Sequence, residues 1–479
     1  MGDNCGIIEK QTVKTKRNRV LSILNPNSVK KRRRGHHMIS HATTLLDLND
    51  DCLLTIFGNL KAIELCHVAN VCKRFGPLAE SAFRTTHKSD QFIRLRFDEG
   101  SCTKSELRRI ICKFGHLVTY FFGTGRQLEL NLLERSNNLR KLWLDEVIID
   151  CKIAKPIFQR VEHLQLFDCK FVGNRSDISK DLFEAYNNLE LLMYSSMEGV
   201  RPYGLERNYK LATLLFRNCV PSLSSFIQFL RFNKQLLCLG IPGDITDKYV
   251  SGIIKYGKQL THIFLFVKEG IVSAETFERL GNLKNLRKLN IRSLYLCPSK
   301  SATTLIDGAL RMNIPLSCLE THSFAIDSTA LRSISKLETL VYLNLGGRIY
   351  CSKTEFMSLL VSLPLLNEII LTFAYPSPNN QDMSVIILIT LIECGKQLNR
   401  IELIDVQKFR INEESYAKLL EVVKSSGRKE RLSVIFIGCK FTTSYEVSNA
   451  IQRNNQMYLK IDYSISTSCC CKNCKSTLT

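Results

Sequence analysis

A cluster of cysteines near the end of the sequence contains the residues best suited to metal or thiol chemistry. Cys469, Cys470 and Cys471 are consecutive, and Cys474 follows Cys471 at the two-residue spacing of half a zinc site. A structural zinc site needs four ligands, and no second Cys-x-x-Cys or histidine pair lies nearby. A flexible tail, reversible palmitoylation and metal binding all stay open. The flexible tail is favoured, so we expect no metal site and no cofactor.

The nine histidines do not form a catalytic pattern. His163 and His262 have no identifiable nucleophile partner, and we interpret them as surface contact residues. The sequence contains nothing that resembles a Walker loop, a Gly-rich dinucleotide turn or a nucleophile elbow. We therefore predict that the protein is not an enzyme.

The basic side chains are unevenly distributed. The 66 Lys and Arg against 45 Asp and Glu give a formal net charge of +21, of which +8 lies in residues 1–44. Two basic patches twelve residues apart have the spacing of a bipartite nuclear import signal. The alternative is a solvated basic tail without a receptor. The residues of the two patches are Lys16, Arg17, Lys30, Lys31, Arg32, Arg33 and Arg34.

A helical pattern follows the basic segment. Leu53, Ile56, Phe57 and Leu60 repeat at i, i+3, i+4 and i+7, and Asn49 ahead of them can cap the helix. The spacing predicts a second helix from residue 65 to 75 and a third after residue 77. Three helices in under forty residues bury little apolar surface, so such a module needs a partner or a neighbouring domain.

Residues 48–75 resemble an F-box, the family that binds the small Skp adaptor of SCF (Skp–cullin–F-box) ubiquitin ligases. The usual Leu-Pro opening is Leu48-Asn49 here, which puts the start of the first helix in question, although Asn can cap it. An ordinary helical cap on a solenoid is the alternative. The resemblance implies that the adaptor-binding residues are Leu48, Asn49, Leu53, Ile56, Phe57, Leu60, Leu65, Val68, Val71, Cys72 and Phe75.

The longer part of the chain repeats one apolar template. The template consists of an apolar residue, two variable residues, a second apolar residue, one variable residue and a third apolar residue. It occurs thirteen times, from Leu117 to the unit that starts at Leu432, with a mean period of 26 residues. The series resembles the cysteine-containing leucine-rich repeat, with Cys169 and Cys219 at the expected offset. The resemblance implies an α/β solenoid shaped as a horseshoe, with parallel strands on its concave face and helices on its convex face.

These patterns divide the chain into four parts. We predict a disordered basic tail (1–44), a three-helix F-box-like module (45–90), a leucine-rich-repeat solenoid (91–463) and a Cys-rich tail (464–479). No stretch has the roughly 18 apolar residues of a membrane helix, and Val385 to Ile392 indicates a buried helix. We expect an intracellular protein of the cytoplasm, the nucleus or both.

The strand positions that point outward predict the ligand face. Their charged residues nearly cancel, which argues against nucleic acid, whose binders need a basic stripe. Aromatic residues are frequent instead, including Trp143, Phe121 and Phe436, although some of them can lie under packed loops. The predicted substrate-binding residues are Trp143, His163, Phe167, Arg217, His262, Phe264, Phe266, Lys288, Arg292 and Arg400.

An F-box-like module ahead of leucine-rich repeats looks like the substrate receptor of an SCF-type ubiquitin ligase. That resemblance implies the Skp adaptor and the cullin scaffold as partners. It also implies an unknown protein substrate that is held for ubiquitination and proteasomal degradation. The alternative is a non-catalytic nuclear leucine-rich-repeat scaffold that binds protein or nucleic acid without acting through ubiquitination.

Overall fold

The computed structural model of the protein combines a short helical module with a long stack of strands. It describes residues 44–98, 100–172, 188–195, 210–217, 221–241, 245–267, 273–297, 299–347, 349–350, 352–373, 383–404, 409–411, 413–426, 432–437, 441–443 and 459–464.

Thirteen α-helices lie within the described residues. They are α1 Asp50–Phe57, α2 Ala62–Val68, α3 Phe75–His87, α4 Lys104–Phe114, α5 Cys151–Phe158, α6 Leu223–Phe232, α7 Asp247–Tyr256, α8 Ala274–Arg279, α9 Ser299–Arg311, α10 Ser328–Ile334, α11 Lys353–Ser362, α12 Met383–Cys394 and α13 Glu413–Ser425. Short 3-10 helices span Leu45–Asp47, Gly115–Leu117, Leu130–Arg135 and Leu280–Asn282.

The described strands are short. They are β1 Lys88–Ser89, β2 Phe92–Phe97, β3 Tyr120–Thr124, β4 Lys141–Asp145, β5 Ile148–Asp150, β6 His163–Phe167, β7 Lys170–Val172, β8 Leu191–Ser195, β9 Thr213–Arg217, β10 Cys238–Ile241, β11 His262–Val267, β12 Lys288–Cys297, β13 Cys318–Phe324, β14 Ile326–Asp327, β15 Tyr342–Gly347, β16 Ile349–Tyr350, β17 Glu368–Phe373, β18 Arg400–Ile404, β19 Phe409–Ile411, β20 Leu432–Ile437, β21 Phe441–Thr443 and β22 Leu459–Ser464.

Sixteen of these strands form one sheet in which strand order follows chain order, from β1 to β22. The pair β1–β2 is antiparallel, and the other neighbouring pairs of this sheet are parallel. Parallel neighbours need a crossover connection, and helices form most of the described crossovers. The remaining strands pair two by two, as β5–β7, β14–β16 and β19–β21. The result is a solenoid-like stack.

The repeated apolar residues form the core of the stack. In β4, Leu142 and Leu144 are buried, whereas Lys141, Trp143 and Asp145 on the opposite face are half-buried. This alternation follows from the two-residue period of a strand. The buried residues of successive units form one continuous core that begins in the helical module.

In two units, the residues that face the core are not those that the repeat template predicts; we call the choice of core-facing residues the frame of the strand. In β3 the core residues are Phe121 and Val118, both fully buried, whereas Tyr120 and Phe122 are half-buried. Phe121 pairs with Leu142 of the next strand, which fixes the frame. The placement of Phe121 on the ligand face is therefore wrong. Residues 117–122 are apolar in either frame, apart from Thr119, so periodicity cannot choose between them.

The second difference lies in β20. Val434 pairs with Ile401 and is fully buried, while the predicted core residue Ile435 is half-buried. Phe436 takes the register position of the buried Leu403. The side chain of Phe436 lies outside the described part of the chain, so its placement on the ligand face stays a prediction.

The helical module packs directly onto the first repeat. Phe83 of α3 and Phe114 of α4 are both fully buried, and their rings stack with centroids 4.5 Å apart. The ring of His87 stacks on Phe83 at 4.2 Å. Residues of α2 also lie against α4. The neighbouring repeat thus supplies the apolar cover that a three-helix module lacks on its own.

The most apolar helix of the described chain is buried, as predicted. Leu388, Leu391 and Ile392 of α12 are fully buried among the repeats. No helix in the described ranges has the length and apolarity that would let it span a membrane.

Candidate adaptor-binding and ligand-binding surfaces

Asn49 caps the first helix of the module. Its Oδ1 accepts a hydrogen bond from the Cys52 N–H at 2.9 Å, which satisfies one of the free N–H groups at the helix start. The backbone of Asn49 has φ −70° and ψ 165°, a conformation that proline also adopts. Asn49 therefore occupies the backbone position expected of the proline and contributes a side-chain cap that proline cannot make.

Arg74 ties the start of α1 to the start of α3. Its Nε and Nη2 donate to Asp50 Oδ1 at 2.9 and 2.7 Å, Nη1 donates to the Leu46 carbonyl at 2.7 Å, and Nη2 also donates to the Leu48 carbonyl at 2.6 Å. A planar guanidinium can hold several acceptors at once, which a lysine cannot do with the same geometry. Sequence reasoning missed this role, because the partners lie 24 to 28 residues away.

The module exposes four large apolar side chains. Leu46 and Val71 are 56% and 55% exposed, and Leu45 and Ile56 are 36% and 40% exposed. Four residues predicted to bind the adaptor are partly buried and pack against the core, namely Leu48, Leu60, Val68 and Cys72. Exposed apolar side chains gathered in one small module are typical of a protein-binding surface.

Four other predicted adaptor-binding residues lie inside the module. Leu53, Phe57, Leu65 and Phe75 are at most 3% exposed, and the rings of Phe57 and Phe75 meet edge to face at 5.3 Å. Side chains this deeply buried do not present a contact surface to a partner. We assign them a supporting role, in which they fix the spacing of α1, α2 and α3.

Aromatic and cationic side chains alternate at the N-terminal part of the ligand face. Trp143 lies between Phe122 and Phe167, with ring centroids 5.0 and 5.4 Å away. Arg96 lies 4.9 Å over the ring of Phe122, and Lys141 lies 3.9 Å over that of Phe92. Phe167 is only 8% exposed, so it supports Trp143 more than it faces the solvent. Trp143 itself is half-buried.

His163 and His262 lie on this face as predicted, each at the first position of its strand. Burial lowers the pKa of His163 to about 4, and the positive charge of Lys141 contributes to the same shift. Burial also lowers the pKa of His262 to about 4, with a further contribution from Lys288. Both imidazoles are therefore neutral at pH 7 and add no charge to the face.

Further along the face, a carboxylate organises a polar network. Glu320 Oε2 accepts a hydrogen bond from Asn290 Nδ2 at 2.6 Å, and it lies 3.4 Å from His322 Nε2 and 3.9 Å from Arg292 Nη2. The side chain of Glu320 is 12% exposed. Arg292 thus occupies its predicted position, but its charge is partly offset by Glu320.

The strand β18 adds a second ion pair to the face. Arg400 donates from its guanidinium to Glu402, which is 5% exposed. In the register of the sheet, Glu402 and Asn344 belong to the same row across β15, β17 and β18. Asn344 is 4% exposed, and its Oδ1 has no hydrogen-bond partner among the described residues. In this row, the carboxylate of Glu402 is paired with Arg400, whereas the amide oxygen of Asn344 is buried without a hydrogen-bond partner in the described part.

The other predicted sites differ in how much the structure describes. Phe264, Phe266 and Lys288 are half-buried on the ligand face. The backbone of Arg217 lies at the end of β9, and its side chain lies outside the described part. The remaining predicted residues also lie outside the described ranges: Lys16, Arg17, Lys30, Lys31, Arg32, Arg33, Arg34, Cys469, Cys470, Cys471 and Cys474.

Burial keeps three of the described cysteines in the unreactive thiol form. Burial raises the pKa of Cys66 to about 11 and those of Cys169 and Cys318 to about 12. These three thiols stay protonated at neutral pH, and the thiolate is the reactive form. Within the described ranges, no three His, Cys, Asp or Glu residues are grouped so that they could hold a metal ion.

Comparison with known proteins identifies the helical module. Residues 45–82 match the family model of the F-box domain. No curated protein matches the sequence. Among solved structures, the complex of Rad7 and Elc1 in yeast is similar at 15% sequence identity, over 74% of this chain and 88% of that chain, with a TM-score of 0.41. The match to the family model shows that residues 45–82 form an F-box domain.

Proposed function

We propose that the protein is a non-catalytic substrate receptor of an SCF-type ubiquitin ligase. Its F-box domain would dock on the Skp adaptor and through it on the cullin scaffold. The observation that carries this proposal is the exposed apolar set of the F-box domain, Leu45, Leu46, Ile56 and Val71. Burying such side chains against a partner is favourable, at about 25 cal/mol for each Å² removed from water.

The ligand face of the strand stack is the proposed binding site for a protein substrate. Half-buried aromatic side chains around Trp143 can supply the buried contacts that dominate protein–protein affinity. The receptor would hold a substrate lysine close to the ubiquitin-charged enzyme and so raise its effective concentration. The bound substrate would then be ubiquitinated and degraded by the proteasome.

The same proposal includes the organisation of the chain. We propose basic residues 1–44 as an import segment, 45–90 as the docking module, 91–463 as a horseshoe of cysteine-containing leucine-rich repeats and 464–479 as a flexible tail. The deep burial of Cys169 supports the cysteine-containing type. An import segment would place the receptor in the nucleus as well as the cytoplasm.

Adaptor binding is tested by pull-down of purified Skp adaptor with the full chain. We expect Ile56→Asp with Val71→Asp to reduce binding at least tenfold, because two carboxylates would be desolvated at the contact. Both residues are exposed, so the variant should fold. The buried Leu65 is unsuitable for this purpose, since its replacement would unfold the module.

The matched control is Val361→Asp with Leu365→Asp, two residues that are 70% and 56% exposed outside the F-box domain. It should bind the adaptor normally. If both variants bind equally well, the adaptor does not dock on Ile56 and Val71. If the parent chain fails to bind the adaptor, the receptor function is wrong. The alternative, a scaffold that binds protein or nucleic acid without ubiquitination, would then be favoured.

Substrate capture is tested by affinity purification with proteasome inhibition. We expect Trp143→Ala with Phe264→Ala to lose proteins that accumulate on the parent chain, while adaptor binding is retained. Phe232→Ala, at an exposed position of α6 away from the sheet, serves as the control. Unchanged capture by the double variant would show that the substrate binds elsewhere.

A further inference from the structure

Three lysines occupy equivalent positions in the loops that lead into β10, β11 and β12. Lys234 and Lys258 lie two residues after the ends of α6 and α7, and Lys284 lies two residues after the Leu280–Asn282 turn. All three are exposed. Because the strands that follow are hydrogen-bonded neighbours, these loops are adjacent along the edge of the stack.

Acidic residues are missing from this part of the edge. Residues 231–237, 255–261 and 280–287, which precede the three strands, contain six Lys and Arg but no Asp or Glu. Within the described part of the chain, no carboxylate forms an ion pair with Lys234, Lys255 or Lys258. Like charges held at neighbouring loops repel one another. The edge therefore keeps an uncompensated positive potential.

The basic side chains surround an open groove of about 430 Å³. We call it the basic groove; its lining residues are Lys234, Lys255, Tyr256, Lys258, Gln259 and Asn285. Arg231 donates from Nη2 to Tyr256 Oη at 2.7 Å, and its guanidinium lies 4.7 Å from the ring centroid. Lys255 Nζ lies 5.2 Å from the same ring.

Hydrogen bonds between neighbouring repeats fix the walls of the groove. Gln259 Nε2 donates to the Asn233 carbonyl at 3.1 Å, and Asn285 Nδ2 donates to the Lys258 carbonyl at 2.9 Å. Each bond joins one loop to the next. The cations are therefore attached to loops of defined spacing, which lowers the entropy cost of binding a ligand.

Helix dipoles explain only part of this arrangement. Arg231 and Lys255 lie in the last turns of α6 and α7, where cations are favoured. Lys234, Lys258 and Lys284 lie beyond the helix ends, where this effect is weaker. Their clustering costs stability in the free protein, so binding an anion would relieve an unfavourable interaction.

The length of the patch limits what it can bind. On one side, the loop before β9 carries Lys210, which donates to Asn188 Oδ1 at 3.1 Å, and the loop before β8 carries Glu190. On the other side, Arg311 at the end of α9 pairs with Glu278, and the loop before β15 carries Glu338. The free cations thus cover three strands, or about 10 Å at a strand spacing of about 4.8 Å. This is too short for the extended stripe that follows a nucleic-acid backbone. A patch of this length can bind one compact group of negative charges.

We propose that the basic groove binds a short, multiply acidic segment of a protein partner, in which phosphorylated side chains or a run of Asp and Glu supply the charge. Ammonium groups form charge-assisted hydrogen bonds with either anion. This surface lies at the loop edge of the stack, away from the F-box domain and the strand positions of the ligand face. It is a second interaction site, independent of the proposed adaptor and substrate surfaces.

The test measures binding of three fluorescent probes to the full chain: a peptide with three phosphoserines, a peptide of eight glutamates and a twelve-nucleotide single-stranded DNA. Lys234→Glu, Lys255→Glu and Lys258→Glu are combined in one variant. We expect this variant to lose at least tenfold in affinity for one or both peptides. Comparison of the two peptides distinguishes phosphate from carboxylate.

A charge-matched variant, Lys152→Glu, Lys155→Glu and Lys336→Glu, changes exposed lysines in other repeats. It should lose much less affinity, although it reduces the net charge by the same amount and keeps the basic residues 1–44. Equal losses in the two variants would overturn the proposal, because the attraction would then come from net charge. A larger loss for DNA than for both peptides would also overturn it, as would the absence of peptide binding to the parent chain.

Discussion

At the residue scale, Arg74 connects the beginning of the F-box domain to the start of α3. Arg74 holds two carbonyl groups and one carboxylate that belong to the beginning of the domain. Its side chain is 39% exposed, so the ion pair with Asp50 by itself contributes little. The hydrogen bonds to the Leu46 and Leu48 carbonyls matter more, because they position the segment that precedes α1 and carries Leu45 and Leu46.

We predict that Arg74→Gln destabilises the start of the F-box domain by about 1–2 kcal/mol, because an amide cannot reach all of the acceptors. Hydrogen exchange of residues 45–60 should accelerate in this variant. Lys73→Gln, at an exposed neighbour without such bonds, should leave the exchange unchanged. Equal exchange in the two variants would mean that Arg74 does not hold this segment.

The role of Arg74 was not predictable from sequence, because its partners are distant along the chain. The cap at Asn49 was predictable, since its acceptor and the Cys52 N–H are only three residues apart. Local hydrogen bonds leave a signature in a short window of sequence. Contacts between helices leave none unless the fold is already known.

At the element scale, the strand period predicted most of the repeats but not the frame of every strand. In β3 the frame depends on Gly123, where a Cβ atom would lie 2.5 Å from Leu128 Cδ2 and 2.7 Å from Phe121 Cε1. The missing side chain makes room for the ring of Phe121 in the core. Packing in three dimensions thus decides between two frames that look equally apolar in the sequence.

The strands of the ligand face also make stability depend on pH. The pKa of His163 and that of His262 are about 4 in the folded protein, against about 6.5 in an unfolded chain. The unfolded state therefore binds protons first as the pH falls. We predict that the free energy of unfolding decreases from pH 7 to pH 5, a range above the pKa values of unfolded carboxylates.

Thermal or urea unfolding at several pH values measures this effect. The combined His163→Gln and His262→Gln variant should show a flatter dependence between pH 7 and pH 5, because it lacks both titrating groups. His67→Gln, at an exposed position of α2, is the control and should keep the parental slope. An identical slope in all three proteins would contradict the prediction.

At the scale of the whole molecule, the F-box domain and the strand stack share one core. Phe83 belongs to α3, the last helix of the F-box module, and Phe114 belongs to α4 of the first repeat; both are fully buried, and their rings stack on each other. Sequence reasoning anticipated that a module of three helices needs additional cover. It did not predict that the first repeat provides this cover, because the contact joins residues whose periodic patterns are unrelated.

We predict that Phe114→Ala destabilises the F-box domain although residue 114 lies outside it. A buried Phe→Ala change costs about 3–5 kcal/mol, and part of that cost should appear as faster hydrogen exchange in residues 45–82. Phe226→Ala, at a buried position of α6, should destabilise its own repeat and leave the F-box domain unaffected. Unchanged exchange in Phe114→Ala would mean that the two parts are stable independently.

The agreement between strand order and chain order also has a consequence for folding during synthesis. Core positions of neighbouring strands are only 21 to 33 residues apart, as in the pairs Phe121–Leu142 and Ile401–Val434. Loops of this length close at low entropic cost. During synthesis, each new strand therefore meets a partner that has already left the ribosome, and no strand of the described stack waits for a distant segment. The F-box domain is complete before most of the repeats exist, so growth of the stack proceeds from a folded base.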